Sequence, residues 1–118
     1  MGIFWLGSAF DSPQQEKKQV CKRVSQAEFK KQLNSLEDIQ LIDVRTSGEF
    51  QRGTIDGAIN IDYTASNFTE MIKKLNKSNP TLIFCQSGGR SAGALKKFRT
   101  LGFEYVLELE GGYGSWSK

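Results

Sequence analysis

Phe84-Cys85-Gln86-Ser87-Gly88-Gly89-Arg90-Ser91 puts a thiol, two glycines and a guanidinium inside one short segment. Gly88 and Gly89 let the backbone turn tightly and aim successive N–H groups inward. Such a nest, followed by a helix N-terminus, is an anion site. Arg90 adds a permanent fork-shaped cation. A sulfur at the centre of that cradle is favoured as thiolate, the nucleophilic form of cysteine. The same cradle holds an oxyanion. The plainer alternative is a buried structural cysteine next to an ordinary Gly-Gly turn. The chain has no histidine, so an imidazole base is excluded, as is a histidine metal site. Two cysteines, Cys21 and Cys85, build neither a four-cysteine zinc site nor a disulfide framework. No metal or other cofactor is expected.

The elements around the loop read as alternating strands and helices. Ser25 and Glu28 form a capping box, and Phe29, Leu33 and Leu36 follow on one helical face. Ile39 to Val44 is a short apolar strand, with Asp43 near its end, and Ala58 to Ile61 is a weaker one. Phe68, Met71, Ile72 and Leu75 make a second helical stripe. Thr81 to Phe84 has the unbroken apolar character of a central parallel strand, so Cys85 stands at a strand's carboxyl end, where open α/β sheets bind ligands. Leu95, Phe98 and Leu101 make a third stripe, ended by Gly102 at C′. Tyr105 to Leu109 alternates as a strand. A Gly-Gly turn and Trp116 follow. The pattern predicts one α/β domain with a mainly parallel sheet.

At 118 residues, with 38% hydrophobic and 25% charged residues, the composition is that of a single globular domain. The net charge of +3 is local: residues 14–31 carry six cations against Glu16 and Glu28. A solvated basic face accounts for this, and no nucleic-acid partner is expected. Residues 1–20 read as a leader and residues 21–118 as the folded unit. Ile3-Phe4-Trp5-Leu6 is too short to span a bilayer, and Leu6 stands where a myristoylation signal needs Ser or Thr. A cytoplasmic monomer is expected, with a trimmed export signal or lipid-touching anchor left open.

Cys85-Gln86-Ser87-Gly88-Gly89-Arg90-Ser91 resembles the active-site loop of single-domain rhodanese-type sulfurtransferases. Asp43-Val44-Arg45, then Glu49-Phe50 and Gly53 to Ile61, resembles that family's first signature. Leu101-Gly102-Phe103, Leu109 to Gly112 and Trp116 resemble its closing segment. The likeness spans roughly residues 22–117. Thr54 replaces the family's usual histidine, at a position taken as structural.

The resemblance implies a central parallel sheet of about five strands flanked by helices. It implies that Cys85 carries sulfur as a persulfide, taken from a small anionic donor such as thiosulfate and passed to cyanide, a thiol or a protein acceptor. The N–H groups of Gln86, Ser87, Gly88, Gly89 and Arg90 would hold the persulfide, and Arg90 would attract the donor or pair with an acid. Asp43, Arg45, Glu49 and Ser91 would support the site, Asp43 by holding adjoining loops with tuning of the site as the alternative, and Arg45 with Glu49 as an ion pair across a helical turn. Cys21 reads as an idle thiol, with a resolving role as the alternative. Phosphatases and arsenate reductases of related fold enclose one residue more between Cys and Arg than the four here. A dedicated persulfide carrier and a non-catalytic binding module also stay open.

Overall fold

A computed structural model describes residues 18–116. The expected leader, residues 1–20, lies almost wholly outside them. The element order is β1 (Val20–Val24), α1 (Gln26–Ser35), β2 (Gln40–Asp43), α2 (Ser47–Gln51), β3 (Ile59–Asn60), α3 (Phe68–Ile72), β4 (Thr81–Phe84), α4 (Gly89–Thr100), β5 (Tyr105–Leu109) and a closing 3₁₀ turn, Tyr113–Ser115. The strands form one sheet in the order β1-β5-β4-β2-β3, and every pairing is parallel. β4 is central and fully buried, which explains its unbroken apolar run.

Strand alternation divides the core. Ile42, Ile83 and Val106 pack with Phe68, Ile72, Leu95, Phe98 and Phe103 on the α3/α4 face. Leu41, Leu82, Leu107 and Leu109 pack with Phe29 on the α1 face, where Trp116 meets Phe29 edge-on. The parallel register carries the strands' carboxyl ends to one edge, with Asp43 opposite Phe84 and Ile83 opposite Glu108. Cys85 is the first residue past that edge.

Local chemistry trims several expected elements. Leu36 is not helical: it is the extended C-cap of α1, its N–H returning to Gln32. α3 ends at Ile72, and Leu75 packs from the following turn. The 58–61 strand shortens to two residues. β1 had no periodic signal of its own, because its five residues include Lys22 and Arg23; pairing with β5 makes it a strand. α4 stops where expected, with Leu101 as cap and Gly102 at φ 89°.

Candidate active site

The loop between β4 and α4 wraps the Cys85 sulfur. Cys85 is 1% exposed. Gly88 N–H donates to Sγ at 3.1 Å. Burial pushes the thiol up, yet the Ser91 hydroxyl and the N–H groups of Ser91, Gly88 and Ser87 outweigh it and leave the pKa below its ordinary value. Ser87 and Gly88 are among the residues expected to aim N–H groups inward, and Ser91 adds a hydroxyl and an amide beyond them.

The two loop glycines do different work. Gly88 sits at φ 112° as the N-cap of α4, a conformation that L side chains avoid. A Cβ there would also stand 3.0 Å from Arg23 Nη2. Gly89 already belongs to α4 and has no atom within 4 Å of where its Cβ would be. The tight turn is thus the work of Gly88.

Arg45 and Glu49 both sit in ion pairs that brace the loop, and neither pair is the expected Arg45–Glu49 one. Buried Asp43 receives Arg45 Nε at 3.0 Å and Nη2 at 2.7 Å, and accepts from Thr54 Oγ1 at 2.9 Å. Arg45 then donates to Gly53 O at 2.7 Å and to Gln86 Oε1 at 3.0 Å, with its guanidinium 4.5 Å over the Tyr113 ring. Asp43 and Arg45 thereby join the end of β2 to the 53–54 loop, to Gln86 and to the closing turn. Arg45 turns inward because a buried carboxylate two residues away offers a bidentate partner.

Glu49 instead takes the fork of Arg90, at 2.8 and 3.0 Å. The Arg90 guanidinium, then the Thr46 amide, hold Glu49 at a pKa of about 2. Glu49 also completes the capping box of α2 with Thr46. Arg90 is therefore a paired cation that fastens the first turn of α4 to α2, rather than a free charge at the mouth.

The 3₁₀ turn straps the loop from behind. Tyr113 N–H donates to Cys85 O at 2.7 Å and Gly114 N–H to Gln86 O at 2.9 Å. A Cβ on Gly112 would come within 2.5 Å of Gln86 O and 2.6 Å of Cys85 O, so only glycine allows this approach. A pocket of about 290 Å³, lined by Arg45, Glu49, Arg52, Gly53, Gln86 and Tyr113, opens beside the loop. A larger one, about 500 Å³, lies against α1, lined by Lys30, Leu33, Asn34, Thr54, Ile55, Asp56 and Trp116.

Residues missed in the sequence flank Cys85 on its other side. Arg23 of β1 donates to Gly88 O at 2.7 Å and grips Glu108 of β5 through Nε at 2.7 Å and Nη2 at 2.8 Å. Ser91 Oγ hydrogen-bonds to the same carboxylate. Little in the sequence signals this: Glu108 takes the polar place in the alternation of β5, and only the structure shows that place to be buried. Cys21, by contrast, packs against the α4 face, with Sγ toward Phe103 O at 3.6 Å, and burial raises its pKa. It does not enter the loop.

The family model for the rhodanese-like domain matches residues 25–118. This chain belongs to the rhodanese-like family. It is 29% identical over 85 residues to thiosulfate sulfurtransferase GlpE of Shewanella oneidensis, covering 72% of this chain and 82% of that protein. It is 36% identical over 87 residues to the chloroplastic thiosulfate sulfurtransferase 16 of Arabidopsis thaliana, covering 65% and 72%. A rhodanese-like domain protein from Staphylococcus aureus superposes with a TM-score of 0.71 at 28% identity, over 82% of this chain and 92% of that one. The human single-domain sulfurtransferase TSTD1 gives 0.66 at 29% identity, over 80% and 93%. The five-stranded parallel sheet of this rhodanese-like domain is the fold of those neighbours.

Proposed function

We propose that this rhodanese-like protein transfers sulfane sulfur through a persulfide on Cys85. The observation that carries the reading is the Cys85 sulfur under a cluster of inward N–H donors, which favours an anion there without any imidazole. The thiolate attacks the outer sulfur of thiosulfate. The S–S bond of the donor breaks, sulfite leaves with that bond's electron pair, and Cys85 becomes a persulfide anion. A nucleophilic acceptor, cyanide or a thiolate, then attacks the outer persulfide sulfur and returns Cys85 as thiolate. This is covalent ping-pong catalysis.

The donors that suit a thiolate also suit the persulfide, whose charge sits one atom further out. Gln86 is held on both sides, by Arg45 and by Gly114 N–H, which fixes the first residue of the loop after Cys85. The relatives' names as thiosulfate sulfurtransferases support the choice of donor.

Mass spectrometry tests it. After thiosulfate, the protein is expected to gain one sulfur atom, to lose it to cyanide, and to gain none as Cys85→Ser. Loading from a protein persulfide but not from thiosulfate would make the chain a dedicated carrier. No loading from either would end the reading.

A further inference from the structure

Glu108 is the buried charge that the sulfur-transfer steps leave without a task. It is 1% exposed, on the face of β5 that looks toward α4. Its carboxylate has two partners, the Arg23 guanidinium and the Ser91 hydroxyl. Each of these also reaches the cysteine loop. Arg23 donates to Gly88 O, and Gly88 N–H donates to Cys85 Sγ. Ser91 acts on the same sulfur through hydroxyl and amide.

A fold-stabilising pair does not require this arrangement. Arg23 is 44% exposed beside the buried Glu108, and an ion pair with a solvent-exposed partner adds little to stability. Here both ends of the pair touch groups that touch the nucleophile. We propose that Arg23 and Glu108 are positioning residues for the Cys85 sulfur, acting through Gly88 and Ser91.

The physical basis is a count of protons and charges. A serine hydroxyl has one proton to donate. The Glu108 carboxylate competes with Cys85 for that proton, and its negative charge disfavours a thiolate nearby. Arg23 acts in the opposite sense. Its cation favours the thiolate, and its bond to Gly88 O holds the left-handed Gly88 that turns the amide onto Sγ. The two charges thus set the balance of the sulfur from opposite sides. Cys85 and the Arg23 cation attract one another, as do Cys85 and Arg90.

The remaining charges near the sulfur are already engaged. Arg90 of α4 is held by Glu49 of α2, with Asp62 adding to its field. Glu110 adds to the field at Arg23. Asp43 and Arg45 bind each other at the end of β2.

The inference rests on Cys85 as the nucleophile, but its test needs no sulfur donor. The pH dependence of Cys85 alkylation by iodoacetamide, followed by mass spectrometry, reads the thiolate directly. Glu108→Gln removes the anion, lets the new amide donate to Ser91 Oγ, and frees the hydroxyl proton for Sγ. The alkylation midpoint is expected to fall by about half a pH unit or more. Arg23→Gln removes the cation and is expected to raise it by about as much, with Arg23→Lys recovering most of the loss.

Opposite shifts in the two variants support the proposal. Shifts of the same sign, or unmoved midpoints in folded protein, overturn it. Should Arg23→Gln fail to fold, Glu108→Gln decides alone: a lowered midpoint supports, an unchanged or raised one overturns. Failure of sulfur loading together with opposite shifts would remove the persulfide reading and leave this one standing.

Discussion

Cys21 and Cys85 are each other's control. Both thiols face the α3/α4 side of the same sheet, and both meet the cost of burial. Burial raises the Cys21 pKa, because Arg99 and the backbone at Val106 compensate only in part. The Cys85 pKa falls, because Ser91 and the amides of Gly88 and Ser87 overcome the same penalty. Cys21 lies within a strand, where the ladder consumes the backbone N–H groups. Cys85 lies one residue past a strand, where a left-handed glycine turns them inward. The difference teaches that acidity here belongs to the donors of the loop, the Ser91 hydroxyl first and the backbone amides after it, and not to the thiol's burial.

The largest effect that would break this contrast comes from the thiols themselves. Cys85→Ser is expected to lower sulfur transfer at least about 10³-fold, while Cys21→Ser keeps the wild-type rate in a thiosulfate–cyanide assay. A Cys21 variant as inactive as the Cys85 variant would erase the distinction. Next comes the turn. Gly88→Ala must hold an alanine at φ 112° against Arg23, so about 10²-fold of activity and about 2 kcal/mol of stability should be lost. Steady-state rates and denaturant unfolding measure the two, and an active, stable Gly88→Ala would show that the inward amide is dispensable.

A smaller effect sharpens the comparison by pH. Labelled at residue resolution, Cys85 should react with a midpoint below the ordinary thiol value of about 8.5, and Cys21 above it. Reversed midpoints would contradict the account by loop donors.

The smallest concerns the brace around Arg90. Glu49 has a depressed pKa, so its contribution to stability is present above about pH 4.5 and is lost as pH falls toward about 2. Glu49→Gln should therefore cost about 1 kcal/mol at neutral pH for this partly exposed pair. Urea unfolding should show the gap between wild type and variant closing on acidification. A gap that persists at pH 2 would assign the loss to the α2 cap instead of the charge.

Much of the fold was legible because the apolar periods are plain. Thr81 to Phe84 reads as a central strand, and the Leu95-Phe98 stripe with Gly102 reads as a helix with its end. β1 was not legible, since Lys22 and Arg23 spoil its apolar signal and only β5 makes it a strand. The candidate loop was legible in outline because its residues are contiguous. Its partners were misassigned where local spacing suggested them: Arg45 and Glu49 are four apart and one helical turn would join them. Buried Asp43 and the start of α4 supply better partners, so each charge turns elsewhere.

The sequence by itself determined the alternation of strands and helices after β1, the absence of imidazole, and a thiol placed before two glycines and an arginine. These follow from period, composition and contiguity, all local properties. Tertiary structure decided which charges meet. It brought Arg23 from β1 and Glu108 from β5 to the Cys85 loop across a parallel register, and set Gly112 of the closing turn within contact of the Cys85 carbonyl. The Arg23 pairings join residues sixty-five and eighty-five positions apart, and no local period encodes them.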